Sequence, residues 1–229
     1  MSEKKFSKSE AIKVGWNLMK PNLGFLAIVY SIVFVVTGIL EIIVVLTQGS
    51  YPLISFNINI ISFILSVFTG IGATKIYLKL YDKQKSQLTD LYDYYYLFFK
   101  YLGGFLLCGL IVIGGFILLV IPGIIFMIKY QFFTYLIVDK EMGPVEAIKK
   151  SGKITQGSKW NLFLFGLVLV GVNLLGALCL LVGLIVTIPV TCLAYTFVYR
   201  KLLEKSEAKP VDVQSVHIEP PTLSTPEII

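Results

Sequence analysis

Two ionisable side chains interrupt otherwise apolar runs: Glu41 in "TGILEIIVVLTQGS" and Lys129 in "IPGIIFMIKYQFFTYLIVD". A charge held in hydrocarbon costs a few kcal/mol or more, so such residues face a bundle interior and pair, or line a path for a proton or solute. Other constellations carry less chemistry. The stretch Gly152 to Lys159, "GKITQGSK", has the glycines of a phosphate loop, but it reads Gly-Ser-Lys where that loop needs Gly-Lys-Ser/Thr, and no apolar strand precedes it. His217 has no Cys or acidic neighbour with which to build a metal site or a triad. Cys108, Cys179 and Cys192 all fall in apolar runs without CxxC spacing and read as small packing residues. Asp90, Asp93, Asp139 and Glu141 read as flanking or capping charge. Neither a catalytic residue, a metal nor a cofactor is expected.

The elements that hold these residues follow from composition. With 56% hydrophobic and 15% charged residues in 229, the chain has too much apolar surface for a soluble core of its size. Apolar runs cover about 22–47, 53–81 and 101–121, and a turn at Pro122 and Gly123 leads into a fourth span at about 123–138. The last run, 160–199, is too long for one crossing and must fold back near Gly183, giving spans at about 160–181 and 184–202. A signal peptide would bring its apolar core much closer to a basic start, so the first span is expected to remain in the mature protein. The expectation is an all-α polytopic membrane domain, 1–203, with six transmembrane helices, followed by a disordered tail, 204–229, rich in proline.

Lysines and Arg200 fill the N-terminus, the second and fourth connections and the C-terminal flank, while the three other connections hold none. Cationic loops stay inside, so both termini are expected in the cytoplasm and the chain in the cytoplasmic membrane. The net charge of +6 then needs no nucleic-acid partner and implies affinity for anionic headgroups, above all at Lys149, Lys150, Lys153 and Lys159 beside Trp160. In this frame Lys129 lies about 10 Å below the outer boundary, counting helical rise from Pro122, and Glu41 is at similar depth. A Glu41–Lys129 ion pair is expected, with separate reach to the outer headgroups as the alternative. Span two carries Ser62, Ser66, Gly70 and Thr74 at intervals of four, a small-residue stripe suited to close helix packing.

An amphipathic segment precedes each hairpin. "SKSEAIKVGWNLMK" opens with Ser7 and Glu10 in capping-box spacing and places Ala11, Val14, Gly15 and Leu18 on one face. "GPVEAIKKSGKITQGSKW" repeats "EAIK" at 146–149 and carries Pro144 where a first turn tolerates it. "LTDLYDYYYLFFKYL" occupies the equivalent middle place, with Leu88, Leu91, Tyr95, Phe98 and Phe99 near one face. These define three parallel units at about 7–82, 86–139 and 144–203, each an interfacial helix and a transmembrane hairpin. The exits "ATKIYLKLYDKQ", "QFFTYLIVDKE" and "AYTFVYRKLLE" pass from aromatic residues into charge, as headgroup anchors do.

The succession "IPGIIFMIKYQFFTYLIVDKE", "EAIKKSGKITQGSKWNLFLFGL" and "LLVGLIVTIPVTCLAYTFVYRKL" resembles a broad group of prokaryotic integral-membrane proteins of unknown function. That group includes the membrane domain joined to some glycerophosphodiester phosphodiesterases. Pro122 and Gly123, Lys129, Asp139, and Glu146 to Ser151 carry the likeness, which covers about 100–203 well and the N-terminal third loosely. It implies a multi-pass architecture; without the soluble catalytic domain, the phosphodiesterase activity does not carry over. The expected function is a non-enzymatic membrane organiser or accessory factor acting through lipid and helix contacts, with a second copy or another membrane protein as partner. The alternative is a small-solute transporter or channel lined by Glu41, Lys129, Asn57, Asn59 and Asn173. A lipid-acting enzyme has no positive sign.

Overall fold

Long apolar runs without water must satisfy their backbone groups internally, and here they do so as helices. The computed structural model describes residues 6–178 and 183–208, among which there is no strand. Six helical stretches among the described residues are long and apolar enough to cross a membrane: Lys8–Thr47, Pro52–Tyr81, Leu88–Leu118, Val120–Lys140, Lys159–Leu178 and Leu184–Glu207. They resolve into α1 (Lys8–Thr47), α2 (Pro52–Tyr81), α3 (Phe98–Leu118), α4 (Val120–Tyr130), α5 (Phe133–Lys140), α7 (Lys159–Leu178) and α8 (Leu184–Glu207), with α6 (Pro144–Ile154) before the fifth stretch. Together they suggest a multi-pass membrane protein.

Consecutive helices pack together as α1 on α2, α3 on α4 and α7 on α8, and α1 also lies along α8. Gly15 makes that last contact: a Cβ there would collide with the Val190 carbonyl and approach the Ala194 nitrogen to 3.1 Å. Met19, Leu26 and Val29 of α1 continue the seam against Ile76, Tyr77 and Leu80 of α2 and Val190 and Leu193 of α8. A larger core joins α5, α6 and the starts and ends of their neighbours through Phe132, Leu136, Ile137, Ala147, Ile154, Phe165, Val198 and Tyr199. Both cores favour one end of the molecule, where the helices carry their lysines. Toward the opposite tips, Phe34, Leu46, Leu53, Ile117, Leu118 and Leu178 are each more than 70% exposed. So much apolar exposure has no place on a soluble monomer.

Several boundaries differ from the sequence expectation. The first amphipathic segment is not a separate helix: Ser7 caps it through the Glu10 amide, 3.3 Å away, and the helix then runs 40 residues to Thr47, through Pro21. At 1.5 Å per residue that is about 60 Å, twice the hydrocarbon thickness. Proline at 21 removes one backbone donor; beyond it, the Asn22 side-chain Nδ2 donates to the Leu18 carbonyl at 2.8 Å. The middle segment is not a helix with one apolar face. It forms two short 3-10 turns, Leu88–Leu91 and Tyr95–Leu97, because Asp90 is drawn into local bonds with the Gln87 amide (2.9 Å) and Lys79. Only the third segment folds as its own helix, α6, with Pro144 as its first residue; Gly157 at φ +80° turns the chain before α7.

The turn after α3 falls at Leu119, in extended conformation, rather than at Pro122 and Gly123. Pro122 sits in the first turn of α4, where a missing N–H leaves nothing unsatisfied. Gly123 instead lets the hairpin close, since a Cβ on it would stand 2.5 Å from the Phe116 ring. Gly183 does mark the start of α8, as its N-cap. That helix continues to Glu207, past the expected boundary at 203; Cys179, His217 and the tail from 209 lie outside the described residues.

Candidate functional site

Three of the charge-bearing exits meet. Asp82 ends α2, Asp139 lies in the last turn of α5, and Arg200 lies on α8; the guanidinium donates to Asp139 at 2.9 Å and to Asp82 at 2.5 Å. The buried Tyr199 hydroxyl donates to the same Asp139 oxygen at 2.8 Å. A planar guanidinium can hold two carboxylates at once, which an ammonium on a flexible stem does less well. The arrangement therefore ties the ends of three helices that are far apart in sequence. The exits were legible as a repeated aromatic-to-charge pattern, but nothing in it said that two acids and a base would share one contact.

The second feature answers what Lys129 does. The helical ladder breaks between α4 and α5 at Gln131 and Phe132, and a break leaves donors and acceptors without partners. Ser151 of α6 repairs it: its Oγ accepts from the Phe132 amide at 3.2 Å and donates to the Lys129 carbonyl at 3.1 Å. Thr155 Oγ1 lies 3.0 Å from the Lys129 carbonyl and 2.9 Å from that of Ser151, sharing its one proton. Both hydroxyl residues are fully buried. The serine of "EAIKKS" thus has a structural task that its spacing did not announce.

Above that break lies a groove of about 430 Å³ between α4, α6 and the start of α7, lined by Lys129, Tyr130, Lys149, Gly152, Lys153, Gln156 and Lys159. Lys129 reaches it because Gly152 has no side chain: a Cβ at 152 would be 3.1 Å from Lys129 Cε. Its ammonium lies 5.0 Å from the Tyr130 ring centre. Among the described residues, none of these four lysines forms an ion pair. Lys150 points elsewhere, to Glu207 at 3.9 Å. Trp160, 71% exposed and stacked on Phe163, stands beside Lys159.

The structure keeps Glu41 and Lys129 apart. Glu41 is exposed near the tip of α1, whereas Lys129, next to the last residue of α4, lies against α6, whose Ser151 and Thr155 bond its carbonyl. The small-residue stripe is used in part. A Cβ at Gly70 would lie 2.9 Å from the Tyr101 hydroxyl of α3, while Ser66 is exposed and bonds the Phe63 carbonyl of its own helix. Thr74 bonds Gly70 in the same way, and Ser62 Oγ is buried without a partner. Asn57 and Asn59 likewise donate to carbonyls one turn back on α2, and Asn173 to Thr191 at 3.4 Å. Among the described residues no cluster of His, Cys, Asp and Glu suits a metal ion. Glu141 accepts from Tyr96 at 2.7 Å.

No solved structure matches the chain. It is similar over 99 residues to uncharacterized proteins of Mycobacterium bovis and Mycobacterium tuberculosis, at 35% identity in each case, a stretch that makes up 43% of this chain. The matched stretch spans about 30% of the length of those curated relatives. Residues 95–206 match the model of a family described as "Protein of unknown function (DUF975)", so the matched region holds the helix break, the groove and two of the three tied exits.

Proposed function

We propose that the chain is a non-catalytic multi-pass protein of the cytoplasmic membrane, with both termini inside, that organises its surroundings through lipid and helix contacts. Its units would be three parallel hairpins whose apolar tips point outward and whose basic ends sit in the inner headgroup layer. One observation carries this reading: Glu41 aside, charge and apolar surface are segregated along the helices. Ion pairs and lysine clusters gather at one end, and Asn57, Asn59, Ser66 and Thr74 on α2 are bonded to carbonyls of their own helix. Polar groups satisfied in this way are spent on the fold rather than offered to a passing solute.

The transporter reading draws on Ser62 Oγ, Asn173 Oδ1 and Thr187 Oγ1, which are buried without partners. Reconstitution separates the two. Liposomes holding the purified chain and loaded with cation- and anion-reporting dyes should leak at the rate of protein-free liposomes; a saturable, solute-selective flux would sink the organiser reading. Orientation has its own test. Ser50→Cys should react with an impermeant maleimide in right-side-out vesicles and Gln84→Cys only in inside-out ones, and the reverse pattern would invert the topology.

A further inference from the structure

We infer that the groove between α4, α6 and α7 is a discrete binding site for a phosphate-bearing lipid headgroup, with Lys129 as its inner cation. The inference rests on the proposed placement of this end in the headgroup layer and adds a defined ligand class, a stoichiometry and a selecting residue. Four lysines line a groove with no carboxylate among its lining residues, and none of the four is neutralised by another described side chain. Ordinary topogenic lysines need only lie on one side of a membrane. These converge from three elements: Lys129 from α4, Lys149 and Lys153 from one face of α6 at i and i+4, and Lys159 from the first residue of α7.

The groove is built by the contact of α4 with α6. Gly152 leaves the space across which the Lys129 stem lies, and the bonds from Ser151 and Thr155 to the Lys129 carbonyl hold that residue against α6. Gln156 adds an amide able to donate to an oxygen that the ammonium groups leave free. A phosphate presents several charged oxygens within one small volume, so it can meet several ammonium donors at once; a carboxylate presents two. The exposed Trp160, stacked on Phe163 beside Lys159, marks the depth at which amphipathic aromatic rings and headgroups meet. The chemistry is that of a phosphomonoester or phosphodiester anion, and its position favours one carried on a lipid over one free in solution.

The test uses the full chain in nanodiscs of phosphatidylcholine. Short-chain phosphatidic acid, short-chain phosphatidylglycerol and inorganic phosphate are titrated separately, with bound lipid counted by native mass spectrometry. One molecule of phosphatidic acid should bind saturably per chain, at least tenfold more tightly than inorganic phosphate. Lys129→Met should weaken it at least tenfold, Lys129→Arg should restore most of the loss, and Lys85→Met, outside the groove, should leave it unchanged. The Lys129 side chain bonds no backbone group, so the variant should keep the wild-type melting temperature, which is measured alongside. Equal, small losses for Lys129→Met and Lys85→Met, with many lipids bound per chain, would overturn the discrete site while leaving general lipid contact intact. No preference for either anionic lipid over phosphatidylcholine would overturn both. Inorganic phosphate binding as tightly as phosphatidic acid would overturn the lipid source.

Discussion

The basic end and the hairpin tips of this molecule are held together by different physics. At the basic end, elements remote in sequence are locked by directed bonds: Arg200 to Asp82 and Asp139, Ser151 to both sides of a helix break, Lys79 to Asp90. Their side chains leave little exposed, as with Tyr199, Phe132 and Leu136. At the tips, each hairpin is closed mainly upon itself, by Gly115 and Gly123 in one and Gly176 near Thr187 in another, and large apolar side chains face outward. Water would penalise the tips and reward nothing there; lipid reverses the balance. The basic end resembles a soluble core and the tips resemble membrane helices, so a substitution should act differently according to where it falls.

The largest effect is expected from Arg200→Met, which leaves two carboxylates without their cation. Breaking a buried pair costs roughly 3–5 kcal/mol, and the partial exposure of Asp82 places this case near about 3 kcal/mol. The melting temperature in nanodiscs should fall sharply, and the double variant with Asp139→Asn should regain part of the loss; a drop no larger than that of a surface change would refute the lock. Next comes Gly72→Val, whose side chain would drive into the Leu91 backbone at the basic end. It should cost about 1–3 kcal/mol by overpacking, whereas Gly109→Val, with open space around it, should be neutral on the same scale. Ser151→Ala removes the acceptor of the Phe132 amide, while Thr155 stays on the Lys129 carbonyl, and should cost about 1–3 kcal/mol, with faster amide exchange at Phe132 as its signature. Unchanged exchange there would mean that the break is satisfied by something else. The smallest effect belongs to Glu41→Gln and Lys129→Met together: independent sites add within about 0.5 kcal/mol, so the double-mutant cycle should show no coupling beyond that. A larger coupling would place the two side chains in contact after all.

Periodicity and run length made the helical class and the number of spanning stretches legible, because a stretch of about 20 apolar residues leaves a backbone few other options. The Ser7 cap, Pro144 at the first turn of α6 and Gly183 at the start of α8 were readable for the same local reason. What failed was anything decided between segments. The first amphipathic segment read as separate from span one, but at Pro21 between them one missing donor is a small loss beside the packing of Ala11, Gly15 and Met19 along a single long helix. Lys129 looked like the partner of Glu41 because counting along a helix gives depth but not the neighbour that a side chain meets. The packing of α4 on α6, where Ser151 and Thr155 bond the Lys129 carbonyl, put it beside α6 and made it part of a cluster that the lysines of 149–159 only half disclosed.

The central claim is that the exposed apolar faces lie in lipid while the basic end meets headgroups. Spin labels at Phe34, Leu110 and Val170, all more than 60% exposed and on three different helices, test it in reconstituted membranes by their collision rates with oxygen and with a water-soluble nickel chelate. The account predicts that all three are reached by oxygen and shielded from the chelate, while a label at Lys153 shows the opposite preference. Chelate access at Phe34, Leu110 and Val170 equal to that at Lys153 would place these faces in water and contradict the account.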